Sequence, residues 1–193
     1  MSKFLRPLLV GFVVGFVVAF ALSFLYGPNS NTPRLYGAGA GLIAAYLMAN
    51  LAGNRAGKAA SSAQKTEALE TPPPVGRARL YLYREGFVAK LAGLNVSVDG
   101  QVVAQLKSPQ FTCVTLAPGS HIVSAAFGGL AGPQNKAAEL QLDIPEGGAA
   151  AVRMTMKMGV ARNAIDLALQ PDVGATKITL AGMAMVQPEV TEV

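Results

Sequence analysis

Residues Leu8 to Tyr26 read LLVGFVVGFVVAFALSFLY, an unbroken run without a charged side chain. At about 1.5 Å per residue in a helix, such a run covers roughly 28 Å, close to the thickness of a bilayer's hydrocarbon core. The stretch therefore predicts a transmembrane helix. Pro7 suits its first turn, where a missing N–H leaves no bond unmade, and Gly27-Pro28-Asn29-Ser30 ends it with turn chemistry. The competing reading is a cleaved signal peptide, with Lys3 and Arg6 as its basic start and Ala19-Phe20-Ala21 as a weak cleavage site. The apolar run is long for a signal core, which favours the span.

A second uncharged run, Leu35 to Ala52 (LYGAGAGLIAAYLMANLA), follows after a connection of turn length. Together the runs predict a helical hairpin within residues 1–53, with spans near 8–26 and 35–52. The second run is rich in Gly and Ala and would insert only marginally without its neighbour. Spacing supplies the remedy. Gly11, Gly15, Ala19 and Ser23 recur every four residues in the first run, as do Gly37, Gly41, Ala45, Ala49 and Gly53 in the second. Each helix thus carries a ridge of small residues along which backbones can approach closely, within one chain or between chains. Lys3, Arg6, Arg55, Lys58 and Lys65 flank the runs, against Arg34 alone in the connection. That bias predicts both termini, and all that follows, in the cytoplasm.

The wider composition agrees with a membrane protein. Of 193 residues, 51% are hydrophobic and 14% charged, which excludes disorder and coiled coil. The net charge of +5 is unevenly spread: residues 1–65 hold six basic and no acidic side chains, whereas 66–193 hold ten basic and eleven acidic. With the later portion near neutrality and no Trp, nucleic acid is not an expected partner. The single cysteine, Cys113, and single histidine, His121, rule out an intrachain disulfide and a Cys- or His-rich metal site.

Residues 54–76 are small and polar and close with Pro72-Pro73-Pro74, which predicts a tether, with a short helix through 56–69 as an option. From Arg77 the hydrophobic period becomes two. Strands are predicted near 78–84, 95–99, 101–107, 111–116, 120–127, 138–144, 150–158 and 163–169, with a ninth near 176–186. Asp99-Gly100 is the pair that a type I′ hairpin turn requires, and Pro118-Gly119 suits a type II turn. Short strands between turn signals predict an antiparallel β-sandwich over 77–187, with nothing to suggest a parallel sheet with crossover helices, followed by a tail at 188–193.

The stretches ARLYLYRE (Ala78–Glu85), NVSVDGQVVAQL (Asn95–Leu106), FTCVTLAPGSHIVSA (Phe111–Ala125) and AVRM (Ala151–Met154) together resemble the bacterial domain-of-unknown-function family 2846 and, more loosely, PEGA-type domains. The resemblance covers roughly 77–160, and its most recognisable part is V-D-G followed by L-x-P-G-x-H. It implies a prealbumin-like β-sandwich without catalytic activity. Many such members look like exported lipoproteins, but Cys113 lies inside a strand and this chain has no N-terminal lipidated cysteine.

Residues suited to catalysis are few. His121 reads as a structural hydrogen bonder at a strand start, Cys113 as a core filler, and Glu139, Asp143 and Glu146 as a solvated rim; no phosphate loop is present. No catalytic, cofactor-binding or metal-ligating residues are expected. Arg84 reads first as half of a structural ion pair. With Met154, Met156 and Met158, it is also the candidate for partner contact, since methionines at period two fit either a core or an adaptable docking face. The sequence thus predicts a non-enzymatic, membrane-anchored accessory or scaffolding subunit. Its expected partners are the bilayer and other membrane subunits or its own copies. The alternative is an exported, envelope-associated binding module for a small or lipid-like ligand.

Overall fold

The structure is a computed structural model that describes all residues except 1–4, 28–29, 56, 129–131, 133–134 and 160–162. Lys3, the Pro28-Asn29 turn and Ala56 therefore lie outside the described residues. The chain forms two compact units, Met1–Gly53 and Asn54–Val193.

The first unit holds two helices, α1 (Leu5–Tyr26) and α2 (Thr32–Leu51). Each has a proline in its first turn, Pro7 and Pro33, and both are buried. Both helices start three residues before the apolar runs, because proline is tolerated in a first turn, where its missing N–H leaves no bond unmade. Gly11 of α1 lies against Gly41 and Ala45 of α2, and Gly15 against Gly37, so the helices pack antiparallel. Among the described residues α1 is the one helix long and apolar enough to cross a membrane; α2 is of similar length but less apolar.

Among the described residues, the second unit contains two sheets of mostly antiparallel strands and two helices. In chain order these are α3 (Ser62–Glu70), β1 (Ala78–Arg84), β2 (Leu94–Val98), β3 (Gln101–Leu106), β4 (Gln110–Leu116), β5 (Gly119–Phe127), β6 (Asn135–Lys136), β7 (Ala138–Ile144), β8 (Ala149–Lys157), β9 (Asn163–Leu169), α4 (Val173–Ala181) and β10 (Ala184–Met185). One sheet has the order β10-β4-β1-β8-β9-β6, the other β3-β2-β5-β7. The β2–β3 turn holds Asp99 and Gly100 at φ 49° and 81°, the left-handed pair expected of that dipeptide.

Parallel pairing does occur, contrary to the expectation from sequence. β1 pairs β8 in parallel, as do β10 with β4 and β6 with β9. The reason lies in the connection. β7 belongs to the four-stranded sheet, so the chain crosses through Pro145–Gly148 to the other sheet and enters it beside β1 in the same direction. Backbone bonds from Arg79 N–H to Gly148 O (3.0 Å) and Gly147 N–H to Arg77 O (2.9 Å) fix that crossing at the start of β1.

β1 is buried along its whole length, which the half-buried alternation expected from sequence did not anticipate. Ala78, Leu80 and Leu82 join a core drawn from both sheets, together with Val96, Val114, Val123, Leu142 and Val152. Tyr81 and Tyr83 face the other way, into a second cluster with Ala68, Phe111, Cys113, Ala151, Leu180 and Met183. That outer face is covered by α3 and α4.

Covering it removes the tether. α3 opens with a capping box, in which Gln64 N–H donates to Ser61 Oγ (3.2 Å) and Ser61 N–H to Gln64 Oε1 (2.9 Å). Its C-terminal carbonyls are met by β1: Tyr81 Oη donates to Ala68 O (2.7 Å), and Arg79 donates to Ala68 O (3.0 Å) and to Thr71 O. Before the helix, Ala60 N–H donates to Met185 O (2.9 Å). In the tail at 188–193, Glu189 N–H donates to Val103 O (2.7 Å) and Glu192 bridges Thr115.

The ninth strand expected near 176–186 is instead α4 followed by the two residues of β10. Asp172 caps the helix by accepting from Ala175 N–H (2.9 Å), Thr176 and Leu180 are buried, and Lys65 Nζ donates to Ala181 O (2.6 Å) and Met183 O (2.7 Å) at its end. On a strand Ile178 and Leu180 would share a face; on this helix Leu180 is fully buried while Ile178 is 79% exposed. Leu180→Ala should therefore cost about 2–5 kcal/mol of stability, whereas Ile178→Ala should stay within about 0.5 kcal/mol of the parent in denaturant titration. Equal losses would restore the strand.

Candidate functional site

The small-residue ridges are the most built of the sequence-predicted sites. Gly11, Gly37 and Gly41 are buried, while Gly15, Ala19, Ser23, Ala45 and Ala49 are half-buried. A methyl group added at Gly37 would lie 2.6 Å from both Gly15 O and Ala19 Cβ. At Gly11 it would lie 2.6 Å from Gly41 O, and at Gly41 2.7 Å from Gly11 O. Both ridges thus face each other within one chain, backbone against backbone. Ser23 Oγ donates to Ala19 O (2.8 Å), so the last polar member of the α1 ridge is satisfied inside its own helix. Gly39, outside the ridge, has nothing near its absent side chain. A shallow apolar groove of about 470 Å³ runs along the seam between flanking Phe12, Phe16 and Leu42.

The candidates for partner contact are placed differently from one another. Arg84 points into the inter-sheet core and is 1% exposed, so it offers no surface to a partner. Among the described residues it forms no ion pair either. Its guanidinium donates to Ala89 O (2.7 Å), Leu106 O (3.1 Å) and Ala92 O, and lies 5.1 Å from the Phe127 ring centroid. Burial pulls its pKa down to about 10, which still leaves it charged at neutral pH. The methionines do not make one patch. Met154 is fully buried, Met156 half-buried against the same core, and only Met158, past the end of β8, is exposed. The period-two pattern reads as core because the strand faces inward; the face is lost where the strand ends.

His121 begins its strand as a structural hydrogen bonder. Nδ1 lies 2.6 Å from Asp99 Oδ2 and Nε2 2.8 Å from Ala117 O, while Asp99 Oδ1 accepts from Ile122 N–H (2.8 Å). Both ring nitrogens face acceptors, so only the imidazolium satisfies both at once. Burial opposes the charge, but the bonds to Asp99 and Ala117 and the negative charges of Asp99 and Asp143 hold the pKa above the ordinary histidine value. Asp99 is held below the ordinary carboxylate value, burial being outweighed by the Ile122 N–H and His121. Cys113 is 9% exposed, and desolvation pushes its thiol up to about 12, far from a reactive thiolate.

No family model matches this chain, and no curated protein does. Residue chemistry alone must therefore speak for the site. Among the described residues no group of three His, Cys, Asp or Glu side chains is placed to hold a metal ion. A polar recess of about 350 Å³, missed in the sequence, lies between β1, β8 and α4 and is walled by Tyr83, Glu85, Arg153 and Thr176. Arg153 donates to Glu85 there (3.4 Å), and the Thr176 hydroxyl donates to Asp172 O (2.7 Å). Arg153 Nε, in the same wall, is buried without a hydrogen-bond partner.

Two outcomes follow from this geometry. Gly37→Ala must push the helices apart at the cost of an overpacked seam, about 1–3 kcal/mol, whereas Gly39→Ala should be neutral or slightly stabilising. Thermal melting of the full chain in detergent, followed by helical circular dichroism, separates them. For His121, a raised folded pKa means stability that is whole below the ordinary histidine pKa and is lost as pH rises through the raised value. Asp99 adds stability that is lost in the opposite direction, as pH falls through its depressed value. Denaturant midpoints should therefore decline on the alkaline side, and His121→Gln should flatten that limb.

Proposed function

We propose that this chain is a non-enzymatic, membrane-anchored accessory or scaffolding subunit. In this reading α1 and α2 cross a bacterial inner membrane as a hairpin, and the two-sheet unit is a prealbumin-like sandwich of the domain-of-unknown-function 2846 kind, held in the cytoplasm. The observation that carries it is the distribution of side-chain size around the helix pair. The ridge residues that meet across the pair, Gly11, Gly15, Ala19, Gly37, Gly41 and Ala45, are all Gly or Ala, while Leu8, Phe12, Phe16, Phe20, Leu42 and Ile43 are all more than half exposed. In water this arrangement is inside out, since the large apolar groups lie outside and the contact buries almost none. In lipid it is ordinary: apolar tails meet the outer side chains, and close backbone packing holds the pair. The matching ridge on α1 also speaks against its removal as a signal peptide, because α2 would then lose the surface its own glycines fit.

The reading for the second unit is support and contact rather than turnover. Among the described residues, the titratable groups whose pKa values are displaced are Tyr81, Tyr83 and Cys113 of the outer cluster, the buried Arg84 held by loop carbonyls, and the Asp99–His121 clasp.

The test is topological and biochemical. Ser62→Cys should resist a membrane-impermeant maleimide in intact cells and react after permeabilisation. The full chain should co-purify from mild detergent with membrane partners or with its own copies. Labelling in intact cells would favour the exported ligand-binding module instead, and a strictly monomeric, partner-free chain would remove the scaffolding role.

A further inference from the structure

The loop between β1 and β2 is built with its polar atoms turned in and its large side chains turned out. Phe87 is 87% exposed and Leu91 68% exposed, in a segment reading GFVAKLAG from Gly86 to Gly93. Single exposed apolar residues on a surface need no explanation. Here, however, the backbone between them is held at nearly every carbonyl. Ser108 Oγ donates to Gly86 O (2.7 Å) and Lys90 N–H to Phe87 O (3.2 Å). Arg84 takes the carbonyls of Ala89 and Ala92, Ser108 N–H donates to Lys90 O (3.2 Å), and Asn54 Nδ2 to Leu91 O (2.8 Å). Gly86 at φ 98° and Ala89 at φ 52° fold the loop into this compact form. A fixed loop that keeps Phe and Leu in water would lose free energy for nothing, so its shape implies an apolar surface outside the unit.

What that surface is follows from Asn54. Asn54 grips the loop twice, at Leu91 O and, through Oδ1, at Gly93 N–H (2.6 Å). It is also three residues beyond Leu51, the last residue of α2. An extended chain spans at most about 3.6 Å per residue, so Asn54 lies within about 11 Å of that helix end by covalent reach alone. If α2 leaves the bilayer there, the loop is tied to the point of exit. Its charge suits a lipid surface as well. Lys90 is exposed on the loop and Lys107 half-buried in the adjoining turn, and neither enters an ion pair among the described residues. The nearest acid in sequence, Glu85, is paired with Arg153 at 3.4 Å.

We propose that the 86–92 loop is a second, interfacial anchor, in which Phe87 and Leu91 enter the boundary region of the same bilayer and Lys90 meets anionic headgroups. This rests on the membrane reading above. The loop restrains the folded unit against the membrane surface.

The chain lacks tryptophan, so one introduced residue reports its own surroundings. Phe87→Trp, Phe16→Trp and Ile178→Trp would each be made in the full chain and reconstituted into vesicles of phosphatidylcholine and phosphatidylglycerol, with and without brominated acyl chains. The expected result is blue-shifted emission quenched by bromine at both position 16 and position 87, with solvent-like, unquenched emission at 178. Quenching at 16 with solvent-like emission at 87 overturns the loop anchor and leaves the membrane reading standing. Blue-shifted but unquenched emission at 87 also overturns it, since the loop would then be covered by protein. Quenching at 178 equal to that at 87 overturns it too, because the contact would not belong to the loop. No quenching at 16 removes the membrane reading and the anchor together.

Discussion

Burial of β1 on both faces is the constraint around which the second unit is arranged. A strand that places Leu80 and Leu82 on one side and Tyr81 and Tyr83 on the other cannot lie at the surface of a two-sheet fold. It must sit mid-sheet, with a second layer over its outer face. β4 and β8 supply the flanks. α3 and α4 supply the layer, and to reach it the chain must bring in segments from before the first strand and after the ninth. Burying Tyr81 there would strand its hydroxyl, and the end of α3 answers that cost: Tyr81 and Arg79 cap the last carbonyls of α3, as Lys65 caps those of α4. Each charge or hydroxyl thereby meets the negative end of a helix dipole. The outer layer is clamped by polar caps as much as by apolar contact.

The first unit obeys the opposite rule. Its seam contains almost nothing but backbone, with the carbonyls of Gly15 and Gly41 close enough to leave no room for a Cβ on the facing glycines. Such a seam contributes little by removing apolar area from water. It gains by dispersion between closely apposed backbones, which matters most where the solvent is itself apolar. The two units therefore present opposite kinds of surface. In one, large side chains are inside and polar groups are capped. In the other, large side chains are outside and the contact is made of the smallest residues.

Much of the β pattern was legible because side-chain alternation is a local property. The eight main strands start or end within two residues of their expected positions, and Asp99-Gly100 adopts the positive φ that its turn requires. The failures share a cause. Residues 176–186 alternate well enough for a strand, yet Asp172 as a cap, apolar or small groups at Val173, Thr176, Leu180 and Met183, and Gly182 at the end carry the helix signal. Two periods fit the same letters, and the presence of an uncovered sheet face decides between them. Residues 62–70 carried a capping box, but too few apolar groups to announce packing; what docks α3 is Arg79 and Tyr81, residues that local reading assigns to a strand. Arg84 read as half of an ion pair because a charged side chain ordinarily finds a carboxylate, whereas here three carbonyls from a loop and a neighbouring strand take its place.

By itself the sequence determined the two apolar runs, the four-residue spacing of their small residues, the strand positions, the turn residues and the scarcity of reactive groups. All of these are written in near neighbours along the chain. Only the tertiary structure decided that the ridges meet within one chain, that β8 runs parallel to β1, that the polar segment before the strands is docked, and that Arg84 and Met154 face inward. Those depend on which surfaces remain uncovered once the local elements have formed, a property of the whole assembly of elements that no short window of sequence contains.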